Sequence, residues 1–329
     1  MQQINVPVLL IFFTRPEVFK KVFECVQRVK PNTLYLYQDG PRNETDVAGI
    51  EACREIASHV NWQCNVHRLY QERNYGCDPS EYLAQKWMFS VEERGIVLED
   101  DDVVSNSFFF FCEELLERYK DDQRINMICG LNILGKYKED KMDYFFARSG
   151  AITGWASWKR VIDEWDPDYT WMQDPYVVNC MKDYLGRRAK GTISTWKKQL
   201  ASGKEHYEGI LGSNTYLQHR LNIVPTRNLV ANIGVTSDAT HSVNSVFKLP
   251  RAIRRIFYKD VYEYEFPLRH PKYVIEDYEF TKRIWGEDRL KDKFILFLRR
   301  IEGRLYMLFP LLGQLFSNDL KKRVKKYCE

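Results

Sequence analysis

The chain has 329 residues, enough for one large domain or two ordinary ones, and its 44% hydrophobic and 29% charged content is that of a globular protein. A net charge of only +4 gives no support for general nucleic-acid binding. The charge is uneven: residues 251–329 hold 19 Lys and Arg against 12 Asp and Glu, a net of +7, which leaves −3 on the first 250. A mildly acidic body is joined to a basic tail.

Eight cysteines, at 25, 53, 64, 77, 112, 129, 180 and 328, include no C-x-x-C pair. They read as reduced core residues of a cytoplasmic protein, without a disulfide framework or zinc site. Residues 1–6 lack a basic flank followed by an apolar core, so no secretory signal is expected there. No apolar stretch reaches the roughly 20 residues needed to span a bilayer.

In chain order, residues 6–13 form an apolar run that reads as a buried strand, closed by Thr14-Arg15-Pro16. Val18, Val22, Val26 and Val29 then recur at helical spacing, with Pro16 suited to the first turn. Leu34-Tyr35-Leu36-Tyr37 is a second strand, stopped by the turn sequence Gln38-Asp39-Gly40-Pro41. A helix over 44–60, a strand over 65–70, a helix over 80–93 and a strand from Gly95 follow. This alternation predicts a mostly parallel α/β sheet flanked by helices, a Rossmann-like arrangement in which ligands sit at the carboxyl ends of strands.

One such end reads G-I-V-L-E-D-D-D-V-V over residues 95–104. A helix N-terminus at Ser105 accounts for one or two acids. Four in a row repel one another unless something positive sits among them, and oxygen ligands select Mg²⁺, Mn²⁺ or Ca²⁺. Thr14-Arg15 and Asp39 end two other strands, so the same edge suits a nucleotide diphosphate with its cation. Neither G-x-G-x-x-G nor G-x-x-x-x-G-K-[ST] occurs, which disfavours dinucleotide oxidoreductases and P-loop kinases.

The second half is less regular. Gly154-Trp155-Ala156-Ser157-Trp158-Lys159 and the later Trp165, Trp171 and Trp196 are core tryptophans at least in part, and small residues beside tryptophan also suit a platform for an apolar sugar face. Residues 228–234 lead into Asp238-Ala239-Thr240-His241, which reads as a polar loop closing over a ligand, with His241 near its diphosphate or metal.

Six segments in order, Thr14-Arg15-Pro16, Asn74-Tyr75-Gly76-Cys77, Leu98-Glu99-Asp100-Asp101, Gly154-Trp155-Ala156-Ser157-Trp158-Lys159, Asn228-Leu229-Val230-Ala231-Asn232-Ile233-Gly234 and Ala239-Thr240-His241, resemble the motifs of GT-A-fold bacterial sugar transferases of surface-polysaccharide clusters, the hemolysin-like group. The chain is more distantly similar to the first N-acetylglucosaminyltransferase of N-glycan processing. The resemblance covers residues 6–245 and implies a GT-A-like domain over 1–245, followed by a basic, aromatic-rich tail over 246–329.

It implies a metal-dependent, inverting glycosyltransferase using a nucleoside-diphosphate sugar, above all a UDP-sugar, with Mn²⁺ or Mg²⁺ and a glycan or lipid-linked acceptor. The alternatives are a sugar nucleotidyltransferase, which usually has a glycine-rich loop after its first strand, and a catalytically dead scaffold. The nucleotide-sugar would meet Thr14, Arg15, Asp39, Asn74, Asp100, Gly154, Trp155 and His241. Metal would meet Asp101 or Asp102, with His241; Asp102 stands where the distant relative has an apolar residue. In that family the catalytic base lies in a W-D motif at a helix start, which corresponds here to Tyr207-Glu208. Glu208 is thus the expected base, with Glu205 and Asp174 as rivals. The apolar runs among basic residues over 294–326 suggest an amphipathic helical tail lying on the anionic inner face of the membrane.

Overall fold

The computed structural model describes residues 3–235, 245–285, 301–302, 304–307 and 317–328. Among the described residues ten strands follow one another: β1 (Val8–Phe12), β2 (Thr33–Gln38), β3 (Asn65–Tyr70), β4 (Arg94–Glu99), β5 (Asp102–Val104), β6 (Ile125–Cys129), β7 (Tyr144–Ala147), β8 (Trp155–Trp158), β9 (Leu221–Pro225) and β10 (Val230–Asn232). The helices are α1 (Pro16–Val29), α2 (Glu44–Ser58), α3 (Cys77–Val91), α4 (Asn106–Arg118), α5 (Lys159–Ile162), α6 (Pro175–Leu185), α7 (Ala189–Ser202), α8 (Tyr207–Leu217), α9 (Arg251–Arg254), α10 (Tyr278–Trp285) and α11 (Asn318–Cys328).

Eight strands form one sheet in the order β3-β2-β1-β4-β8-β6-β9-β7. The β3-β2-β1-β4 half is parallel, as the alternation of strands and helices predicts, with α1, α2 and α3 as crossovers. β8 lies antiparallel between β4 and β6, β9 runs parallel to β6, and β7 closes the far edge antiparallel to β9. The result is the expected mixed α/β fold with a large, mostly parallel, Rossmann-like sheet.

Each face of the sheet buries its own apolar layer. In β1 the pleat sends Val8, Leu10 and Phe12 into a layer with α1 and α4, and Leu9 and Ile11 into a layer with α3 and α8. Burial on both faces is why β1, β2 and β4 read as unbroken apolar runs, whereas the edge strand β3, exposed or half-buried along its length, does not.

Three expectations change here. Trp155, Trp158, Trp165, Trp171 and Trp196 are all buried, so none offers an exposed stacking platform. The cysteines divide: Cys25, Cys53, Cys112 and Cys129 are core residues, whereas Cys77 and Cys180 are exposed. The residues after 245 do not stand apart from the body. The Glu263 carboxylate accepts the N–H groups of Asn106 and Ser107 at 3.1 and 2.7 Å, capping α4, and Phe280 joins the second apolar layer. Farther on, Leu320 and Tyr327 of α11 pack with Ala231, Ile233 and Tyr258, and the Tyr327 hydroxyl donates to the Lys259 carbonyl at 2.8 Å. No helix among the described residues is long and apolar enough to cross a membrane.

Candidate functional site at the switch point of the sheet

Strand order reverses between β1 and β4, since the chain runs outward from β1 through β2 to β3 and then returns to β4. The carboxyl ends of strands diverge at such a point and leave a crevice. A cleft of about 230 Å³ opens there, lined among others by Thr14, Arg15, Asp39, Asn74, Glu81, Glu99 and Asp100.

Arg15 follows β1 and starts α1. Its Nε donates to Asp100 Oδ2 at 3.3 Å, Nη2 donates to Asp101 Oδ2 at 2.8 Å and also to Asp100 Oδ1, and Nη1 donates to the Gly234 carbonyl at 3.2 Å. Burial alone would lower its pKa, but the two carboxylates outweigh burial and hold it above the usual arginine range. The guanidinium is therefore the positive charge that the acidic run demands.

The run itself is shaped by two distant segments. β5 pairs antiparallel with β10, setting Asp102 opposite Asn232. Asn232 Nδ2 donates to Asp101 Oδ1 at 2.6 Å and its Oδ1 accepts the Gly234 N–H at 3.0 Å. A Cβ on Gly234 would lie 2.0 Å from Asp101 Oδ2, so only glycine lets this backbone close on the carboxylate. Asp102 Oδ2 accepts the N–H of Gly154 at 2.8 Å and of Glu99 at 3.3 Å, while its Oδ1 is buried without a partner. Burial pushes Glu99 and Asp102 well above the ordinary carboxylate range, and the neighbouring carboxylates add to it. Asp100 is also raised by burial, with Arg15 opposing.

Asp39 stands at the end of β2 and organises the loop before α3. Oδ1 accepts the N–H groups of Gly40 and Tyr75, both at 2.9 Å. Oδ2 accepts from Asn74 Nδ2 at 2.8 Å and from the Gly76 N–H at 3.0 Å. Both oxygens are thus engaged within the protein.

Beyond the acidic run, α3 and α8 bring further acids to the cleft. Glu81, which no sequence motif singled out, accepts from Cys77 Sγ at 3.2 Å. Its pKa is raised to about 8, chiefly by burial, against the Cys77 contact and with Glu208 adding to the rise. The Tyr207 hydroxyl, fully buried, donates to Glu99 Oε1 at 3.3 Å.

The expected site residues thus fall into groups. Thr14, Arg15, Asp39, Asn74 and Asp100 line the cleft; Asp101, Asp102 and Gly154 build the turn behind it. Trp155 is fully buried in β8, opposite Val97 and Cys129. Glu208 is an exposed residue in the first turn of α8, close enough to raise the Glu81 pKa, and Glu205 precedes it, half-buried. Asp174 instead caps α6, accepting the N–H groups of Tyr176 and Val177 at 2.8 and 3.4 Å. His241 and its loop lie outside the described residues. The signal that would have found Glu81 is its place one helical turn after Cys77 of the N-Y-G-C segment, on the same face of α3.

Among the described residues no three His, Cys, Asp or Glu side chains are grouped as a ready ligand set. Hard oxygen donors are nonetheless present, and the unpartnered Asp102 Oδ1 is a buried acceptor in need of positive charge.

No protein-family model matches the chain, and no curated protein does. Solved structures do. A UDP-glucose pyrophosphorylase in its apo form is similar at 9% identity and TM-score 0.37, covering 70% of this chain and 93% of that one. A glucose-1-phosphate thymidylyltransferase from Bacillus anthracis, described in its structure as putative, matches at 12% identity and TM-score 0.29, covering 49% and 74%. A 4-diphosphocytidyl-2C-methyl-D-erythritol synthase from Anaerococcus prevotii matches at 11% and 0.28, covering 51% and 75%. At these levels the likeness is one of fold. The structures named here are a pyrophosphorylase, a thymidylyltransferase and a synthase, with no glycosyltransferase among them, and the expectation of an inverting glycosyltransferase is corrected and not carried forward.

Proposed function

We propose that the chain is a transferase acting at the phosphates of a nucleotide-activated sugar: a sugar nucleotidyltransferase joining a sugar phosphate to a nucleotide. The observation that carries this reading is the concentration of charge at the switch point, where Arg15 lies between Asp100 and Asp101 beside the cleft. The tryptophans that would stack on a sugar ring are buried in the core. What the cleft offers is therefore recognition of phosphate rather than of an apolar sugar face.

The turn Phe13-Thr14-Arg15-Pro16 contains no glycine, so the phosphates meet the Arg15 guanidinium instead of a cradle of backbone N–H groups. A guanidinium suits phosphate oxygens by its planar array of donors. Asp101 and Asp102 would hold a Mg²⁺ or Mn²⁺ ion, which supplies charge neutralisation at the diphosphate. Asn74, whose amide nitrogen donates to Asp39 and to the Gly40 carbonyl, lines the cleft and would meet the nucleotide. The basic tail over 294–326, most of which lies outside the described residues, is assigned to an anionic membrane surface at the inner face.

Incubation with a panel of sugar 1-phosphates and nucleoside triphosphates in Mg²⁺ or Mn²⁺ tests the reading. Release of diphosphate that requires both substrates is the expected result. No diphosphate from any pair would overturn it.

A further inference from the structure

Helices α6 and α7 form a hairpin whose charge sets it apart from the rest of residues 1–250. Residues 182–204 contain seven Lys and Arg and a single acid, Asp183, a net of +6. The whole chain carries +4, so everything outside this segment sums to −2.

Elsewhere several cations are paired with acids. Arg42 meets Asp46, Arg94 meets Glu117, Arg124 meets Asp122, Arg220 meets Glu164 and Arg269 meets Asp143. On the hairpin, Arg187, Lys190, Lys197 and Lys198 have no acidic partner among the described residues, and Lys182 donates only to Asn179 Oδ1 at 3.2 Å. All five are exposed and line one open groove of about 690 Å³ between the two helices.

The spacing explains why they gather. Lys190, Ser194, Lys197, Lys198 and Ala201 fall at i, i+4, i+7, i+8 and i+11, a single stripe along α7. That stripe is on the order of 16 Å long at 1.5 Å rise per residue. Repulsion among unpaired cations at this spacing works against the helix, and an anionic partner relieves it.

We propose that the α6–α7 hairpin is an electrostatic docking surface for an anionic phospholipid bilayer. Four of the five cations are lysines, point charges that make no demand for a fixed phosphate geometry. The groove contains no aromatic ring on which a base would stack, as single-stranded nucleic-acid sites do. The exposed Leu200 and Tyr176 of the same hairpin supply apolar groups that enter a headgroup region favourably. Within residues 1–250 the hairpin's +6 stands against −9 on everything else, and the tail over 251–329 carries a second basic stretch, +7, that the test below separates from it. From the hairpin the chain passes through Gly203, in the left-handed region at φ 67°, directly into Glu205 and α8 beside the cleft. Docking by the hairpin would thus fix how the cleft stands relative to the membrane.

The test is co-sedimentation of the full chain with phosphatidylcholine vesicles, with and without phosphatidylserine. The unmodified protein should pellet only with phosphatidylserine and be released by added salt. Each cation near such a surface strengthens association by about fivefold, so Lys197→Glu with Lys198→Glu should weaken it at least tenfold. A second variant, Lys321→Glu with Lys322→Glu in α11, separates this surface from the tail: it must retain hairpin-dependent binding. Thermal melts of both variants confirm that they fold. Undiminished pelleting of the 197/198 variant would overturn the proposal. So would loss of binding only in the 321/322 variant, or salt-sensitive binding to duplex or single-stranded nucleic acid with none to the vesicles.

Discussion

Arg15 Nη2 lies 2.8 Å from Asp101 Oδ2, and through this contact the end of β1 is locked to the acidic turn after β4. The two side chains are 15% and 12% exposed, so water screens the pair poorly. Breaking such a pair on one side leaves uncompensated charge.

Arg15→Gln should therefore destabilise the protein by about 3–5 kcal/mol, the usual cost of removing one partner of a buried pair. The same variant leaves Asp100 and Asp101 without their cation. Millimolar Mn²⁺ should then raise its melting temperature more than that of the unmodified chain, where the guanidinium competes for the same oxygens. Thermal melts in Mn²⁺ and in chelator read both effects. Equal metal shifts in the two proteins would show that no cation enters between these carboxylates.

Asp39 makes a different kind of prediction. Its carboxylate accepts from Gly40, Asn74, Tyr75 and Gly76, and all of these are donors. Asp39→Asn is nearly isosteric but turns one oxygen into an NH₂ group facing N–H donors. The loop before α3 should loosen, at a cost of about 1–3 kcal/mol for groups left unsatisfied. Urea denaturation should show that loss, and titration with nucleoside diphosphate should show weakened binding, because Asn74 loses its anchor. Unchanged stability would mean that the loop is held by other contacts.

The parallel half of the fold was legible because burial on both faces writes long apolar runs into β1, β2 and β4, each five or six residues. The second half was not, for a physical reason. β5 and β10 have three residues each, and β7 and β8 four, too short for any period to show. Their pairing is also non-local: Asp102 finds Asn232 and Gly95 finds Ser157. At the candidate site, Arg15, residues 99–102, Gly154 and Asn232, which stand in separate motifs, are folded onto one turn, whereas the motif residue Trp155 packs into the core. Glu81 stayed hidden because a lone acid on a helix looks like any solvated one until α8 brings its own acid close. Asp174 failed to reach the cleft because its position just before Pro175 makes it an N-cap, a role that consumes its carboxylate locally.

The raised pKa of Glu81 gives a pH dependence with a definite sign. Its ordinary value is 4.5 and burial, with Glu208 nearby, lifts it to about 8 in the folded chain. Between those values the folded protein holds a proton that the unfolded chain has released. Stability then falls as pH rises through this window, is fully present below pH 4.5, and levels off above about pH 8. Glu99, Asp100 and Asp102 are raised for the same reason and slope the same way, so the effect of one residue must be read as a difference. Glu81→Gln removes its share: melting temperatures of the variant and the unmodified chain should converge near pH 4.5 and separate toward pH 8, with the glutamine variant the more stable at the alkaline end. Parallel profiles across the window would place the Glu81 carboxyl in ordinary contact with water. Because Cys77 donates to that carboxyl and lowers its pKa, alkylation of the exposed thiol should carry the fall in stability of the unmodified chain to higher pH, an extension that the glutamine variant lacks.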